Sequence, residues 1–223
     1  MDREIIFVVD PMCSWCWGFS PVIEAIRSAY GERAAMTIVA GGLRPLTSAP
    51  MSDKDKAEIR HHWEAVEKAS GQPFDFDFFE RSGFVYDTEP ACRALVTVRT
   101  LEPASSYTYL ARLHRAFYAE NRDVTADAVL AALAEETGVE RERFVEAFRS
   151  REMIYQTSGD FIRSQSMGAR GFPTVVLRNG EDYALLVAGF VPFDKLKAPL
   201  EGWFAGEAAA ADNAAGADAE PGS

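Results

Sequence analysis

The chain has 223 residues with a formal net charge of −11, and 48% of its residues are hydrophobic, so it can bury a core without the disulfide framework that three cysteines could not supply. The acidic balance argues against a nucleic-acid partner, because phosphate binding concentrates Lys and Arg. No apolar stretch reaches the roughly 18 residues of a membrane span, and no signal-type segment follows Met1, so we expect a cytoplasmic protein without a membrane partner.

The first forty residues predict a strand, a helix and a second strand. Residues 5–9 form a continuous apolar run, which is typical of a central strand buried on both faces. A helix is predicted over 13–30, with a kink at Pro21, and a second strand over 36–40. This order indicates a βαβ unit with parallel strands.

A helical block follows, and then a hairpin and a closing helix. Helical segments are predicted over 52–70, 88–101, 105–118, 125–137 and 141–167, with no strand among them. Beyond them come strands over 174–177 and 183–187 around the turn Asn179-Gly180, and a helix over 192–204. We therefore predict an α/β domain that consists of an N-terminal βαβ segment (1–42), a helical insertion (43–155), a C-terminal ββα segment (156–204) and a disordered tail (205–223).

The motif Cys13-Ser14-Trp15-Cys16 lies where the first strand gives way to a helix. Unpaired amides and the helix dipole stabilise a thiolate at such a position, so Cys13 is the predicted nucleophile. Cys16 lies one turn further on, close enough to attack a mixed disulfide, and is the predicted resolving thiol. We expect at least one nearby aromatic residue to be exposed beside Cys13, and choose Trp15.

A second motif, Gly171-Phe172-Pro173-Thr174, opens the predicted hairpin. A proline at the entrance of a strand is also common in ordinary loops. Its pairing with the cysteine motif is what gives Pro173 a predicted role.

Together, the two motifs and the helical block between them resemble the DsbA-like branch of the thioredoxin superfamily over residues 4–204. More narrowly, the segment 10–19, Asp-Pro-Met-Cys-Ser-Trp-Cys-Trp-Gly-Phe, resembles predicted cytosolic protein-disulfide isomerases related to the FrnE proteins. The resemblance implies a thioredoxin fold with a helical insertion. It also implies that Pro173 is cis beside the disulfide and that the Phe172 backbone pairs with a substrate strand.

The implied function is thiol–disulfide exchange through a mixed disulfide, as an oxidoreductase or protein-disulfide isomerase. Cys13 and Cys16 are the catalytic residues, and Trp15, Phe172 and Pro173 the substrate-binding residues. Substrates are expected to be polypeptide or small-molecule thiols and disulfides. No cofactor is expected, and a thiol pool such as glutathione or thioredoxin restores the starting redox state. Because Ser14-Trp15 has neither the histidine of oxidising DsbA nor the Gly-Pro of thioredoxins, we expect an intermediate redox poise and leave its direction open.

Other interpretations of single residues give structural roles. Cys13 and Cys16 could form half a zinc site, completed from His61, His62, His114 or Cys92, but the histidines lack a matching motif and we expect no metal. Cys92 lies on an apolar helical face and is expected to be a buried structural thiol. The phenylalanines within 74–79 are expected to anchor the insertion to the rest of the fold.

Two alternative functions stay open at this stage. Kappa-class glutathione transferases and hydroxychromene carboxylate isomerases resemble the same inserted fold, although they generally lack the second cysteine that Cys16 provides here. A redox-sensing holdase or binding protein is the other alternative, with the helical insertion as its capture surface.

Overall fold

A four-stranded mixed sheet forms the centre of the computed structural model, which describes residues 3–206. Its order is β2-β1-β3-β4, with β1 parallel to β2, and with β1–β3 and β3–β4 antiparallel. The strands are β1 (Arg3–Val9), β2 (Ala35–Ala40), β3 (Thr174–Asn179) and β4 (Asp182–Ala188). The central position predicted for the first strand is confirmed.

Over the described range the chain also forms eight α-helices, six of them between β2 and β3. They are α1 (Ser14–Tyr30), α2 (Asp53–Ser70), α3 (Glu89–Leu101), α4 (Ser106–Tyr118), α5 (Asp127–Glu136), α6 (Arg141–Phe148), α7 (Arg151–Ser166) and α8 (Phe193–Ala205). Among the described residues between 43 and 155 there is no strand, as predicted. None of the helices within 3–206 is long and apolar enough to cross a membrane.

Most predicted bounds differ from the observed ones by one or two residues, and two differences change the number of helices or the start of the tail. The helical stretch predicted over 141–167 is two helices, because the Ser150 hydroxyl accepts from the Met153 amide at 3.2 Å and caps a new helix. Ala205, assigned to the predicted tail, is the last residue of α8. The rest of that tail lies outside the described residues, apart from Gly206, which caps α8 with a left-handed backbone.

Strand β1 is buried on both faces, which explains its continuous apolar run. Ile5, Phe7 and Val9 belong to the main core, which also takes in α1 and the helical insertion. Ile6 and Val8 alternate with them and pack into a second cluster on the opposite face. The end of β1, where the cysteine motif begins, is therefore fixed from both sides.

Candidate functional site: the redox loop between β1 and α1

The redox loop, residues 10–13, connects the end of β1 to the first turn of α1. The Cys13 amide donates to the Asp10 carbonyl at 3.0 Å, which closes a tight turn, and the Cys13 carbonyl accepts from the Trp17 amide at 3.1 Å. Cys13 is the N-cap residue of α1, and no side chain caps this helix. Its sulfur therefore lies at the N-terminal end of the helix, beside the amides that have no partner within the helix.

The two cysteines of the motif have different surroundings. Cys13 retains 5% of its surface exposed, while Cys16 is fully buried. The Asp10 amide donates to the Cys16 sulfur at 3.5 Å. Burial, reinforced by the interaction with Cys13, raises the pKa of the Cys16 thiol well above its ordinary value. Cys16 is therefore held as a protonated thiol behind Cys13.

Chain segments that are far apart in sequence meet at Cys13. The Phe172–Pro173 peptide bond is cis, and the Phe172 carbonyl accepts from the Cys13 thiol at 3.4 Å, across 159 positions of sequence. Pro173 is buried, and its carbonyl accepts from the Gly189 amide at 2.8 Å. The structure thus brings Cys13, Cys16, Phe172 and Pro173 together.

The Phe172 ring, which is half-buried, lies directly over the end of β2. A Cβ added at Gly41 would come within 2.2 Å of this ring, so the backbone approach is closer than any side chain allows. Gly41 also donates from its amide to the Val9 carbonyl at 2.8 Å. The Phe172 ring therefore occupies a space that exists because Gly41 has no side chain, and we call this space the seat of Phe172. Sequence patterns did not single out this role of Gly41.

Trp15 is the aromatic residue that stays partly exposed next to Cys13. Its ring is half-buried and lies 5.8 Å from the ring of Phe190, in the loop after β4. Trp17 and Phe19, by contrast, are buried in the core. The expectation that Trp15 is the exposed aromatic residue agrees with this arrangement.

Sequence reasoning missed the role of Asp10, a fully buried carboxyl in the redox loop. Its two oxygens accept from the Met12 amide at 2.8 Å, the Leu43 amide at 2.7 Å and the Cys92 thiol at 3.3 Å. Desolvation by burial raises the pKa of Asp10 above its ordinary value. The Asp-Pro pair was visible in the sequence, but it indicated only the end of a strand.

The helical insertion supplies further buried groups to the loop. The Tyr86 hydroxyl donates to the Met12 carbonyl at 2.6 Å. The His114 ring contacts the Asp10 carbonyl at 3.4 Å through Nε2 and the Ser20 hydroxyl at 2.9 Å through Nδ1. Burial lowers the pKa of His114 to about 4, so the ring is neutral, and its proton belongs on Nε2 because a carbonyl can only accept.

The residues considered for a zinc site do not form a set of metal ligands in the described part of the chain. No group of three or more His, Cys, Asp or Glu side chains that could hold a metal ion occurs within the described portion of the chain. His61 and His62 are exposed on α2, whereas His114 is buried and contacts the redox loop. Cys92 is fully buried, in agreement with its apolar helical face.

Comparison with known proteins places this arrangement in a family. The model of the DSBA-like thioredoxin domain matches residues 4–201. A solved structure from Nitrosomonas europaea, provisionally called a protein disulfide isomerase, is 39% identical with a TM-score of 0.87, covering 92% of this chain and 99% of that one. The cytosolic disulfide reductase DsbM from Pseudomonas aeruginosa is 26% identical with a TM-score of 0.75, covering 91% and 98%, and has also been solved with GSH.

Curated relatives are more distant. The ClpXP adapter protein SpxH of Bacillus subtilis is 25% identical over 198 residues, which is 86% of this chain but 64% of the relative. This chain therefore spans less than two thirds of the length of that relative. The family match over nearly all described residues, together with the inserted helices and the sheet order, shows that the chain belongs to the DSBA-like thioredoxin domain family and has its fold.

Proposed function

We propose that this protein is a thiol–disulfide oxidoreductase whose redox centre is Cys13 and Cys16. The observation that carries the proposal is the unequal placement of the two sulfurs. Cys13 lies at a helix N-terminus, against the carbonyl that precedes the cis-proline, whereas Cys16 is fully buried behind it. This arrangement suits an attacking sulfur and a resolving sulfur.

The reduction of a substrate disulfide takes two steps. The Cys13 thiolate attacks one sulfur of a substrate disulfide; the substrate S–S bond breaks, a Cys13–substrate bond forms, and the leaving thiolate takes up a proton. Cys16 then gives up its proton and attacks the Cys13 sulfur, which releases the second substrate thiol and leaves a Cys13–Cys16 disulfide. The reverse sequence oxidises a dithiol, and partial reversal isomerises a disulfide.

For substrates we propose polypeptide or small-molecule thiols and disulfides, held beside Cys13 by Trp15, Phe172 and Pro173. The support is that Trp15 and Phe172 are partly exposed apolar surfaces next to the sulfur. An extended substrate segment can also pair with exposed backbone groups, a common mode of peptide recognition. This chemistry needs no cofactor or metal.

For location and redox partner we propose the cytoplasm and a thiol pool such as glutathione. The name of DsbM, a cytosolic disulfide reductase at 26% identity, and its structure with GSH support both proposals. In a reducing compartment the pair works as a reductase or isomerase, because glutathione returns the Cys13–Cys16 disulfide to the dithiol.

Trapping of the mixed disulfide tests the assignment. The double variant Cys16→Ser, Cys92→Ser keeps Cys13 alone and should accumulate a covalent adduct with a disulfide-bonded peptide, seen by mass spectrometry. The matched variant Cys13→Ser, Cys92→Ser keeps Cys16 alone and should form none, because that sulfur is buried and protonated. Adducts on Cys16 but not Cys13, or multiple turnover by Cys13→Ser, would contradict the proposed chemistry.

A binding role is the second candidate, favoured by the adapter name of the curated relatives. A protein with all three cysteines replaced should then still bind its partner or suppress aggregation of unfolded chains, while losing all disulfide exchange. The same protein tests the glutathione-transferase alternative, since conjugation of glutathione without thiol exchange would favour that enzyme class. Loss of every activity in this variant supports the oxidoreductase.

A further inference from the structure

The segment that leads into α3 contacts the redox loop from the side of the helical insertion. Tyr86, in this segment, is 4% exposed, and its hydroxyl donates to the carbonyl of Met12, which is fully buried. The hydrogen bond measures 2.6 Å and joins residues 74 positions apart. It links the insertion to the residue immediately before Cys13.

The geometry of one peptide unit explains why this contact matters. The Met12 carbonyl and the Cys13 amide belong to the same planar peptide group. Its carbonyl end accepts from Tyr86 at 2.6 Å, and its amide end donates to the Asp10 carbonyl at 3.0 Å. A planar group held at both ends cannot rotate freely. The position of the Cys13 Cα, and with it the direction of the Cα–Cβ bond that carries the sulfur, is therefore restricted.

Tyr86 itself is firmly held and remains a donor. The rings of Phe78, Phe84 and Phe117 surround it edge-on, with centroids 6.3, 6.0 and 5.6 Å away. Burial raises the pKa of the Tyr86 hydroxyl above its usual range, so the proton that it donates stays in place at any physiological pH. The aromatic core of the insertion thus determines where this hydroxyl lies.

We propose that Tyr86 is a positioning residue for the redox centre: its hydroxyl fixes the Met12–Cys13 peptide and so holds the Cys13 sulfur within bonding reach of Cys16. The inference rests on the proposed function. Restricting Cys13 raises the effective concentration of one thiol at the other, which favours the disulfide over the dithiol. Removing the hydroxyl should therefore favour the dithiol.

The test compares Tyr86→Phe with Tyr109→Phe in glutathione redox buffers. Tyr109 is a matched control, because it too is buried in the insertion and its hydroxyl donates to a carbonyl, that of Leu130, at 3.0 Å. The fraction of Cys13–Cys16 disulfide is measured by alkylation and mass spectrometry. Since a typical buried hydrogen bond is worth a few-fold in an equilibrium constant, we expect Tyr86→Phe to raise the constant for reduction by glutathione about fivefold.

The control separates positioning from stability. Both variants should lower the denaturant midpoint of unfolding, but Tyr109→Phe should leave the reduction equilibrium at the wild-type value. If Tyr86→Phe were unstable at 25 °C, all proteins would be compared in sucrose, which strengthens burial. A reduction constant within error of wild type in folded Tyr86→Phe, or an equal shift in both variants, overturns the positioning role.

Failure of the proposed function looks different. In that case the wild-type protein itself would form no Cys13–Cys16 disulfide at any glutathione ratio. A normal wild-type titration with an unshifted Tyr86→Phe contradicts only the inference about Tyr86.

Discussion

At the scale of single residues, the proposed redox centre combines chemically identical side chains that have unequal environments. Cys13, Cys16 and Cys92 are all thiols, yet the first meets a helix end and a backbone carbonyl, and the other two meet the buried Asp10 region. Burial raises the pKa values of Cys16 and Cys92 well above normal, because a thiolate without solvent is costly. The three thiols are therefore expected to differ in reactivity although they lie in one small region.

This separation predicts the order of alkylation. In the reduced protein, iodoacetamide should modify Cys13 first, because Cys13 alone of the three retains exposed surface, at 5%. Cys16 and Cys92 should react only at the rate at which the protein opens or unfolds. Peptide mapping by mass spectrometry after short labelling times checks this order, and initial labelling at Cys16 would contradict it.

The buried neutral ring of His114 predicts a pH dependence of stability. The pKa of His114 is lowered from 6.5 to about 4, so the native state binds fewer protons than the unfolded state between these values. Its contribution is fully present above pH 6.5 and is lost as the pH falls toward 4. By linkage, this amounts to about 3 kcal/mol in the free energy of unfolding.

Comparison of His114→Gln with His61→Gln isolates this contribution. His61 is exposed on α2 and serves as the control, and His114→Gln should lose less stability on acidification than His61→Gln does. The comparison is needed because Asp10 acts oppositely: its raised pKa adds stability at low pH that is lost as the pH rises. Urea unfolding at several pH values measures the slopes, and identical slopes for both variants would refute the role of His114.

At the scale of elements, the ends of strands and helices converge on the site. The end of β1 supplies the redox loop, the end of β2 supplies the seat for Phe172, and the first turn of α1 supplies Cys16. Such ends leave backbone groups free to bind other segments. The site is therefore built from terminations of regular structure rather than from their interiors.

The end of β2 yields a prediction for Gly41→Ala. The added Cβ would lie 2.2 Å from the Phe172 ring and must displace it, which moves the carbonyl that contacts Cys13. We expect the rate of disulfide exchange to fall by about tenfold or more, since small misplacements at a reacting centre are costly. The exchange rate with a peptide disulfide is the measurement.

A glycine without neighbours provides the control for Gly41→Ala. Gly159 is exposed in α7, with nothing within 4 Å of an added Cβ. Gly159→Ala should leave exchange unchanged and stabilise the helix by about 0.5–1 kcal/mol. Equal exchange rates for the two variants would show that the seat of Phe172 does not govern the site.

Sequence patterns predict most of the elements but not the contacts between them. The continuous apolar run at 5–9 predicts the central strand because burial on both faces removes alternation. The sequence did not predict that one helix ends and another begins at Ser150. The residues on both sides of Ser150 have helical patterns, and a single serine is a weak indication of a helix start. The local sequence therefore predicts the helices and strands, but it predicts the residues at which they begin and end only in part.

The site was predictable in the same uneven way. Cys13, Cys16 and Pro173 stand in recognisable motifs, so their proximity follows from the family resemblance. Asp10 and Tyr86 carry no such signal, because a buried carboxyl or hydroxyl is identified by the partners that folding brings to it. Only the three-dimensional arrangement reveals these supporting groups.

At the scale of the whole molecule, the sheet and the helical insertion share one hydrophobic core. Trp63 of α2 is fully buried in the insertion, with its ring 4.9 Å from Phe78 and 5.0 Å from Tyr118. Tyr118 in turn stacks on Trp17 of α1 at 6.4 Å. An aromatic chain therefore connects the insertion to the helix that carries Cys16.

This shared core predicts a single unfolding transition for the sheet and the insertion. Trp63→Ala should lower the free energy of unfolding by about 3–5 kcal/mol, because it opens a large cavity in that core. Circular dichroism and the oxidation of Cys13 with Cys16 should report the same midpoint in denaturant. Loss of helix before loss of the redox equilibrium would show that the insertion unfolds by itself.

The pairing of β1 with β3 also has a consequence for synthesis on the ribosome. β1 can pair with β2 once about forty residues have emerged from the ribosome. The other edge of β1 pairs with β3, which begins at Thr174, and Cys13 contacts Phe172, so both contacts form only after these late residues have been synthesised. At about 5–20 residues per second this interval lasts roughly 7 to 27 seconds, during which the nascent chain carries both thiols but has not yet brought Phe172 to Cys13. We therefore expect the proposed exchange with other proteins to begin only after nearly all of the domain has been translated.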